Sequence, residues 1–284
     1  ADAGALAGAA YLPSGWSPAT SAAGSEFTKN LHGATLTYTP SSVYVSNDSI
    51  TVTATAPAKS FFAKAFTNKA VTVKAIATAT MVNAGGGALP WGVIQNTYTP
   101  GTTYPIYVNN TGPNNGALRL PGWDTASSKC SSTSANGLGG AALYTGEITP
   151  GVVTTCPVLL DQVLSTKTGQ NSGPTTQGVT NRCGATLQSP GTIVSFNAAG
   201  SATLVQPGSC QLVLLPVVVD ASTGASSWPK TGSGDVRVVG FSWWVISAVV
   251  GQGQEVDAVY VGDAPTNAGA PGALPSAYTA QLTG

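Results

Sequence analysis

Acid–base and hydrolytic chemistry needs a base beside a nucleophile, or two carboxylates facing one substrate. The sequence has one histidine, His32, in the turn Asn30-Leu31-His32-Gly33, which reads as a solvated turn residue and not as a catalytic base. Among its eleven acids only Glu255 and Asp257 form a close pair, on one strand face beside the hairpin signal Gly251-Gln252-Gly253. With Asp263 they offer oxygen ligands for Ca²⁺, but calcium-loop spacing is absent. Gly169, Gly173 and Gly178 lack the lysine spacing of a phosphate-binding loop and read as turns around a short helix begun by Pro174, with Arg182 pinning that helix. The chain therefore reads as a non-enzyme, with no cofactor and no metal.

The remaining reactive residues are four cysteines, Cys130, Cys156, Cys183 and Cys210, spaced 26, 27 and 27 residues apart. No pair has zinc-ligand spacing and His32 is distant in sequence, so two disulfides are expected. Three connectivities are open, of which Cys130 with Cys156 and Cys183 with Cys210 is favoured. Each would close a loop of roughly 25 residues, worth about 3 to 4 kcal/mol on the chain-entropy model. The aromatic residues include Trp243 and Trp244, on opposite faces of a strand so that at most one is exposed, and Trp123 in a loop, the better candidate for a glycan-binding surface. Asn47-Asp48-Ser49 and Asn109-Asn110-Thr111 match the glycosylation sequon.

Composition limits the partners. Charged residues are 8% of the 284, and eleven basic residues balance eleven acidic ones, so no global field recruits nucleic acid or an anionic membrane. Up to Gly85 the balance is +2 and beyond it −2, which would bring unlike signs together in a head-to-tail contact between copies. A surface solvated by hydroxyls and amides suits an extracellular, cell-surface protein. No apolar run reaches 18 residues; Val238 to Val250 is too short and too polar to span a membrane and reads as a buried strand. A signal peptide is also absent, as expected of a mature exported chain.

The elements that hold these residues fall into an α+β architecture of two domains, 1–84 and 85–284, divided at the glycine triplet Gly85-Gly86-Gly87. Ala1 to Leu12 is an alanine-rich helix ended by Pro13; Gly4 and Gly8 stand one turn apart on a face smooth enough for another backbone to lie against. A second helix runs from Ser17-Pro18 to about Lys29. Strands are expected at Ala34–Tyr38, from Ile50, and at Val71–Met81, with a helix between Pro57 and Phe66 whose stripe is Phe61, Phe62, Ala65 and Phe66. The larger second domain reads as an antiparallel β sandwich or barrel, its strands including Gln211–Val219, Val236–Val250 and Val256–Val261. Pro216 marks an edge or a bulge within the first of these.

Several of these segments carry a resemblance in order along the chain. Ala1-Asp2-Ala3-Gly4-Ala5-Leu6-Ala7-Gly8-Ala9-Ala10-Tyr11-Leu12-Pro13 is similar to the stretch following the membrane helix in TadG-like and TadE-like proteins of tight-adherence (Flp) pilus loci. The helix Pro57–Phe66 between threonine-rich strands resembles that family's periplasmic domain. Asn114-Asn115-Gly116-Ala117-Leu118, Gly169 to Val179 and Val236 to Ile246 resemble further blocks, with Gln170 and Trp244 departing from the pattern. The resemblance implies a pilin-like first domain, a pilus-locus setting, and a membrane anchor that was removed or lies before the sequence given.

Together these readings give a non-enzymatic extracellular structural subunit that assembles with its own copies, or with other pilins, into or onto a surface filament. The residues expected at the interface are Ala1, Ala5, Leu6, Gly8, Ala9 and Tyr11 on the first helix, and Phe61, Phe62 and Phe66 on the phenylalanine helix. The tail 267–276 could add a strand to a neighbouring copy. The alternative is a minor pilin or adhesin that displays loops 121–140 and 220–235 to a glycan or surface. A cell-envelope hydrolase is the remaining reading.

Overall fold

In the computed structural model the described residues are 1–12, 15–30, 35–41, 49–58, 71–83, 88–108, 115–120, 140–150, 158–167, 171–229, 234–264 and 278–282. They form a mixed α+β protein of two units, Ala1–Val82 with Tyr278–Gly284, and Asn83–Ala277. The C-terminal strand thus belongs with the first unit and not with residues 85–284, as sequence proximity would place it.

In the first unit, helix α1 (Asp2–Tyr11) lies against helix α2 (Trp16–Asn30) and over a sheet of β1 (Thr35–Ser41), β2 (Ser49–Ala58), β3 (Val71–Asn83) and β13 (Tyr278–Leu282), in that order. The alternation expected from Ile50 onward sets the layers. Ile50, Val52, Ala54, Ala77 and Ala79 are buried; on the other face Thr37 and Thr39 of β1 stand opposite Thr53 and Thr51 of β2. Sealing one such isoleucine or valine contributes about 1.5 to 3 kcal/mol.

The smooth face of α1 finds its partner within this unit, which corrects the expectation that it is open to a neighbour. Ala5, Ala9, Ala19 and Ala23 are fully buried. A Cβ on Gly8 would stand 2.9 Å from Ile50 Cδ1 and 3.1 Å from the Ala19 carbonyl, and one on Gly4 would stand 3.3 Å from the Ala23 carbonyl. The helices approach this closely because Gly4 and Gly8 of α1 face Ala19 and Ala23 of α2, so the backbone contact that suits a foreign helix is used by the chain's own second helix. A second correction concerns Pro57 and Ala58, which still belong to β2, Pro57 facing Thr72, and do not start a helix. Proline is tolerated near a strand end, where it removes one donor at little cost.

The second unit is built on a curled half-barrel sheet of order β5 (Thr103–Val108), β12 (Glu255–Asp263), β11 (Asp235–Val250), β10 (Leu212–Asp220), β4 (Trp91–Ile94) and β6 (Gly116–Ala117), with β7 (Val163–Ser165) paired to the start of β11. All its pairs are antiparallel except β10 with β4, which is parallel, so the sheet is mostly and not wholly antiparallel. β10 is an interior strand with Pro216 opposite Phe241; the register shift falls at Val217/Val218, so the proline marks a bulge and not an edge. A small hairpin of β8 (Val194–Phe196) and β9 (Ala202–Leu204) follows a 3₁₀ turn. Both faces of β11 are covered: Trp243 and Trp244 are each buried, which leaves neither exposed.

Among the described residues two helices belong to this unit, α3 (Gly140–Ile148) and α4 (Ser172–Cys183), packed on each other. Gly173 and Gly178 lie inside α4 and not in turns around it. Gly178 is the close-approach point, since a Cβ there would meet Ile148 Cβ at 2.8 Å. Cys183, at the end of α4, is joined to Cys210 by a disulfide with 5.4 Å between the Cα atoms. Cys130 and Cys156 lie outside the described residues, as do Phe61, Phe62, Phe66 and His32.

Candidate functional site: a polar cluster under the helix pair

The richest concentration of chemical groups forms where α3 and α4 meet β4 and β5. Tyr144, fully buried on α3, accepts a hydrogen bond at its hydroxyl from Trp91 Nε1 of β4 at 2.6 Å, and the same oxygen lies 3.2 Å from Thr175 Oγ1 of α4. Tyr107 of β5 stacks against Trp91 with ring centroids 6.2 Å apart, and its hydroxyl hydrogen-bonds among Thr175, Asn171 and Tyr144. Burial pushes the Tyr144 hydroxyl well above the ordinary tyrosine range and that of Tyr107 upward.

Lys167 enters this cluster from the residue after the Leu118–Thr166 bridge, held by its amide donating to the Ala117 carbonyl. Its ammonium lies 5.3 Å from the centre of the Tyr144 ring and donates to Asn171 Oδ1. Asn171, just before α4, is 2% exposed, and its carbonyl receives the Thr175 amide. One turn along α3 from Tyr144 stands Glu147, whose Oε2 is shielded from water and has no hydrogen-bond partner among the described residues. Burial raises the Glu147 carboxyl well above the carboxylate range, against the pull of Lys167. Burial also lowers the Lys167 amine, helped by the Arg119 charge and opposed by Glu147. An amine, an amide and a carboxyl are thus gathered in a setting that disfavours charge on the amine and on the carboxyl.

The backbone around the cluster is shaped to admit it. The β11–β12 turn passes through left-handed Gly251, Gln252 and Gly253. A Cβ on Gly253 would fall 2.0 Å from the Ser172 carbonyl, so only glycine lets the turn lie against the start of α4. Arg182 closes the other end, donating from Nε to the Cys210 carbonyl at 2.6 Å and from Nη1 to the Ile148 carbonyl at 3.2 Å. Asn115, in the resemblance block ending at Leu118, accepts the Ile94 amide and donates to the Pro105 carbonyl, tying β4 to β5.

The acidic residues singled out from sequence do not gather. Glu255 and Asp257 sit side by side, and burial together with the Asp257 charge raises the Glu255 carboxyl. Asp263 is at the far end of β12, accepting from the Tyr260 hydroxyl at 2.8 Å. No three histidine, cysteine or acidic side chains converge as metal ligands among the described residues. On α1, Ala5, Gly8 and Ala9 are buried, Ala1 and Leu6 are half-buried, and Tyr11 is exposed. The sequence reading missed Glu147, Lys167, Asn171 and Tyr144. Their only local signal was a glutamate and a lysine flanking weakly apolar segments, since their meeting depends on the α3–α4 packing.

No protein-family model, curated protein or solved structure matches this chain.

Proposed function

We propose that this chain is a non-enzymatic extracellular structural subunit, related to the TadG-like proteins of tight-adherence pilus loci, that assembles with copies of itself on the cell surface. The observation that carries the reading is the open face of the first sheet. There Thr35, Thr37 and Thr39 stand opposite Thr55, Thr53 and Thr51, and the third row is Lys74, Ile76 and Thr78. Ile76 is 57% exposed at the centre of a face with one charge among these described residues, an arrangement that loses little solvation energy when covered. The Cys183–Cys210 disulfide supports an oxidising compartment, and no described helix is long and apolar enough to cross a membrane.

Because α1 is sealed by α2, assembly on this reading uses the threonine face and not the alanine face. The adhesin alternative loses Trp243 and Trp244 as ligand platforms, since both are buried. Sedimentation equilibrium and negative-stain microscopy over a wide concentration range test the proposal. Concentration-dependent ordered assemblies, abolished by Ile76→Lys with the fold retained, are expected; a chain that stays monomeric throughout refutes it.

A further inference from the structure

The cluster under the helix pair holds the parts of a spontaneous amide exchange. A lysine amine already points its hydrogen at the side-chain carbonyl of an asparagine. A carboxyl with an unpartnered, water-shielded oxygen stands one turn from the tyrosine whose ring faces that amine. Trp91, Tyr107 and Tyr144 wall the place with apolar, buried rings. We propose that Lys167 and Asn171 form an intramolecular isopeptide bond, with Glu147 carrying the proton between them.

The chemistry balances without an added reagent. In apolar surroundings an ammonium and a carboxylate are less favoured than the neutral amine and acid, so Lys167 passes a proton to Glu147. Both groups lean this way: burial lowers the amine and raises the carboxyl, outweighing their mutual attraction. The neutral Nζ adds to Cγ of Asn171, forming the new C–N bond, while the Glu147 acid hydrogen-bonds the developing oxyanion at Oδ1. The proton lost by Nζ moves through the Glu147 carboxyl to Nδ2. The Cγ–Nδ2 bond then breaks, ammonia leaves, and Glu147 ends protonated, as it stood before the attack. Nothing is oxidised or reduced.

Placement serves the step as well. The Lys167 backbone amide donates a hydrogen bond to the Ala117 carbonyl and the Asn171 backbone carbonyl accepts one from the Thr175 amide, so the reacting groups are held together by the fold and react as neighbours. Asn171 is 2% exposed, which shields the intermediate at its Cγ from hydrolysis to aspartate. The product ties the chain leaving β7 to the start of α4, where the Gly253 turn also rests. Such a bond withstands reductants, unlike the disulfide at the other end of the same helix.

Intact-mass spectrometry of the reduced chain tests this directly. The wild-type protein is expected about 17 Da below its sequence mass, the loss of one ammonia. Trypsin should fail to cut after Lys167, and fragmentation should place the loss between Lys167 and Asn171. Lys167→Arg and Glu147→Gln should each restore the full mass while keeping a folded circular-dichroism spectrum. Wild type at its full sequence mass with Lys167 open to trypsin overturns the proposal, as does an ammonia loss that either variant retains.

Discussion

Gly178→Ala puts the helix pair under direct strain. The new methyl would stand 2.8 Å from Ile148 Cβ, 2.9 Å from its Cγ2 and 3.0 Å from its Cδ1, where ordinary carbon contacts are about 3.5 to 4 Å. Ile148 is fully buried, and its carbonyl is held by Arg182, so the end of α3 cannot recoil without stretching that bond. Overpacking of this kind costs about 1 to 3 kcal/mol. Replacing a helical glycine by alanine returns up to about 1 kcal/mol of propensity, which leaves a net loss of about 1 to 2 kcal/mol at a site this rigid. Gly173→Ala in the same helix is the internal control, because apart from its chain neighbours nothing lies within 4 Å of its added methyl. Its gain in helix propensity is offset by Pro174, whose ring disfavours a helical residue with a Cβ before it, so its stability should change by less than about 0.5 kcal/mol. The two variants therefore differ by about 1 to 2 kcal/mol, which is about 2 to 8 °C in Tm at 2 to 4 °C per kcal/mol for a unit of this size. Urea unfolding followed by tryptophan fluorescence reads the same difference as a shift in midpoint at constant slope. A Gly178→Ala protein as stable as Gly173→Ala would refute the packing that brings Glu147 toward Lys167.

Further expectations follow from other contacts. Arg182→Met keeps the aliphatic stem but leaves the Ile148 and Cys210 carbonyls without this donor, and should cost about 2 to 3 kcal/mol in urea unfolding; a cost under about 0.5 kcal/mol would contradict its anchoring role. Replacing Cys183 and Cys210 together by serine should remove about 3 to 4 kcal/mol, the loop-closure value for this spacing, and a midpoint unchanged from wild type would show the bond to be dispensable. Glu147 is protonated in both folded and unfolded chains below its ordinary value of 4.5. Above that value the unfolded chain gives up its proton while the folded chain holds it, so this contribution is lost as pH rises toward the raised folded value. Wild-type stability should fall relative to Glu147→Gln over that climb; parallel pH profiles would show that the carboxyl is not buried. Gly8→Val should destabilise the monomer by crowding Ile50 and Ala19, measured by thermal unfolding, whereas an unchanged Tm would mean that the α1 face is open after all.

Local pattern was enough for much of this architecture. Alternation in Ile50, Val52 and Ala54 and from Val71 to Met81 depends only on which side chains face a core, so β2 and β3 were legible as strands, although β2 runs on through Pro57 and Ala58 and Val73 is exposed. The glycine-rich turn at Gly251 to Gly253 and the small-residue face of α1 were visible for the same reason: backbone freedom and side-chain size belong to the residue itself. The pairing of Cys183 with Cys210 was favoured from spacing and is present.

What α1 packs against, where the C-terminal strand goes, and which polar groups meet were decided only in three dimensions. A smooth helix face is equally suited to a foreign helix or its own neighbour, and α2 lies a short turn away. β13 pairs with β3 across most of the sequence length, a choice set by the open edge of that sheet and invisible to any local window. Glu147, Lys167, Asn171 and Tyr144 come from separate segments whose residue types are unremarkable singly. Their chemistry exists because the fold brings them together and shields Tyr144, Asn171 and Oε2 of Glu147 from water, and burial is a property of the assembled molecule.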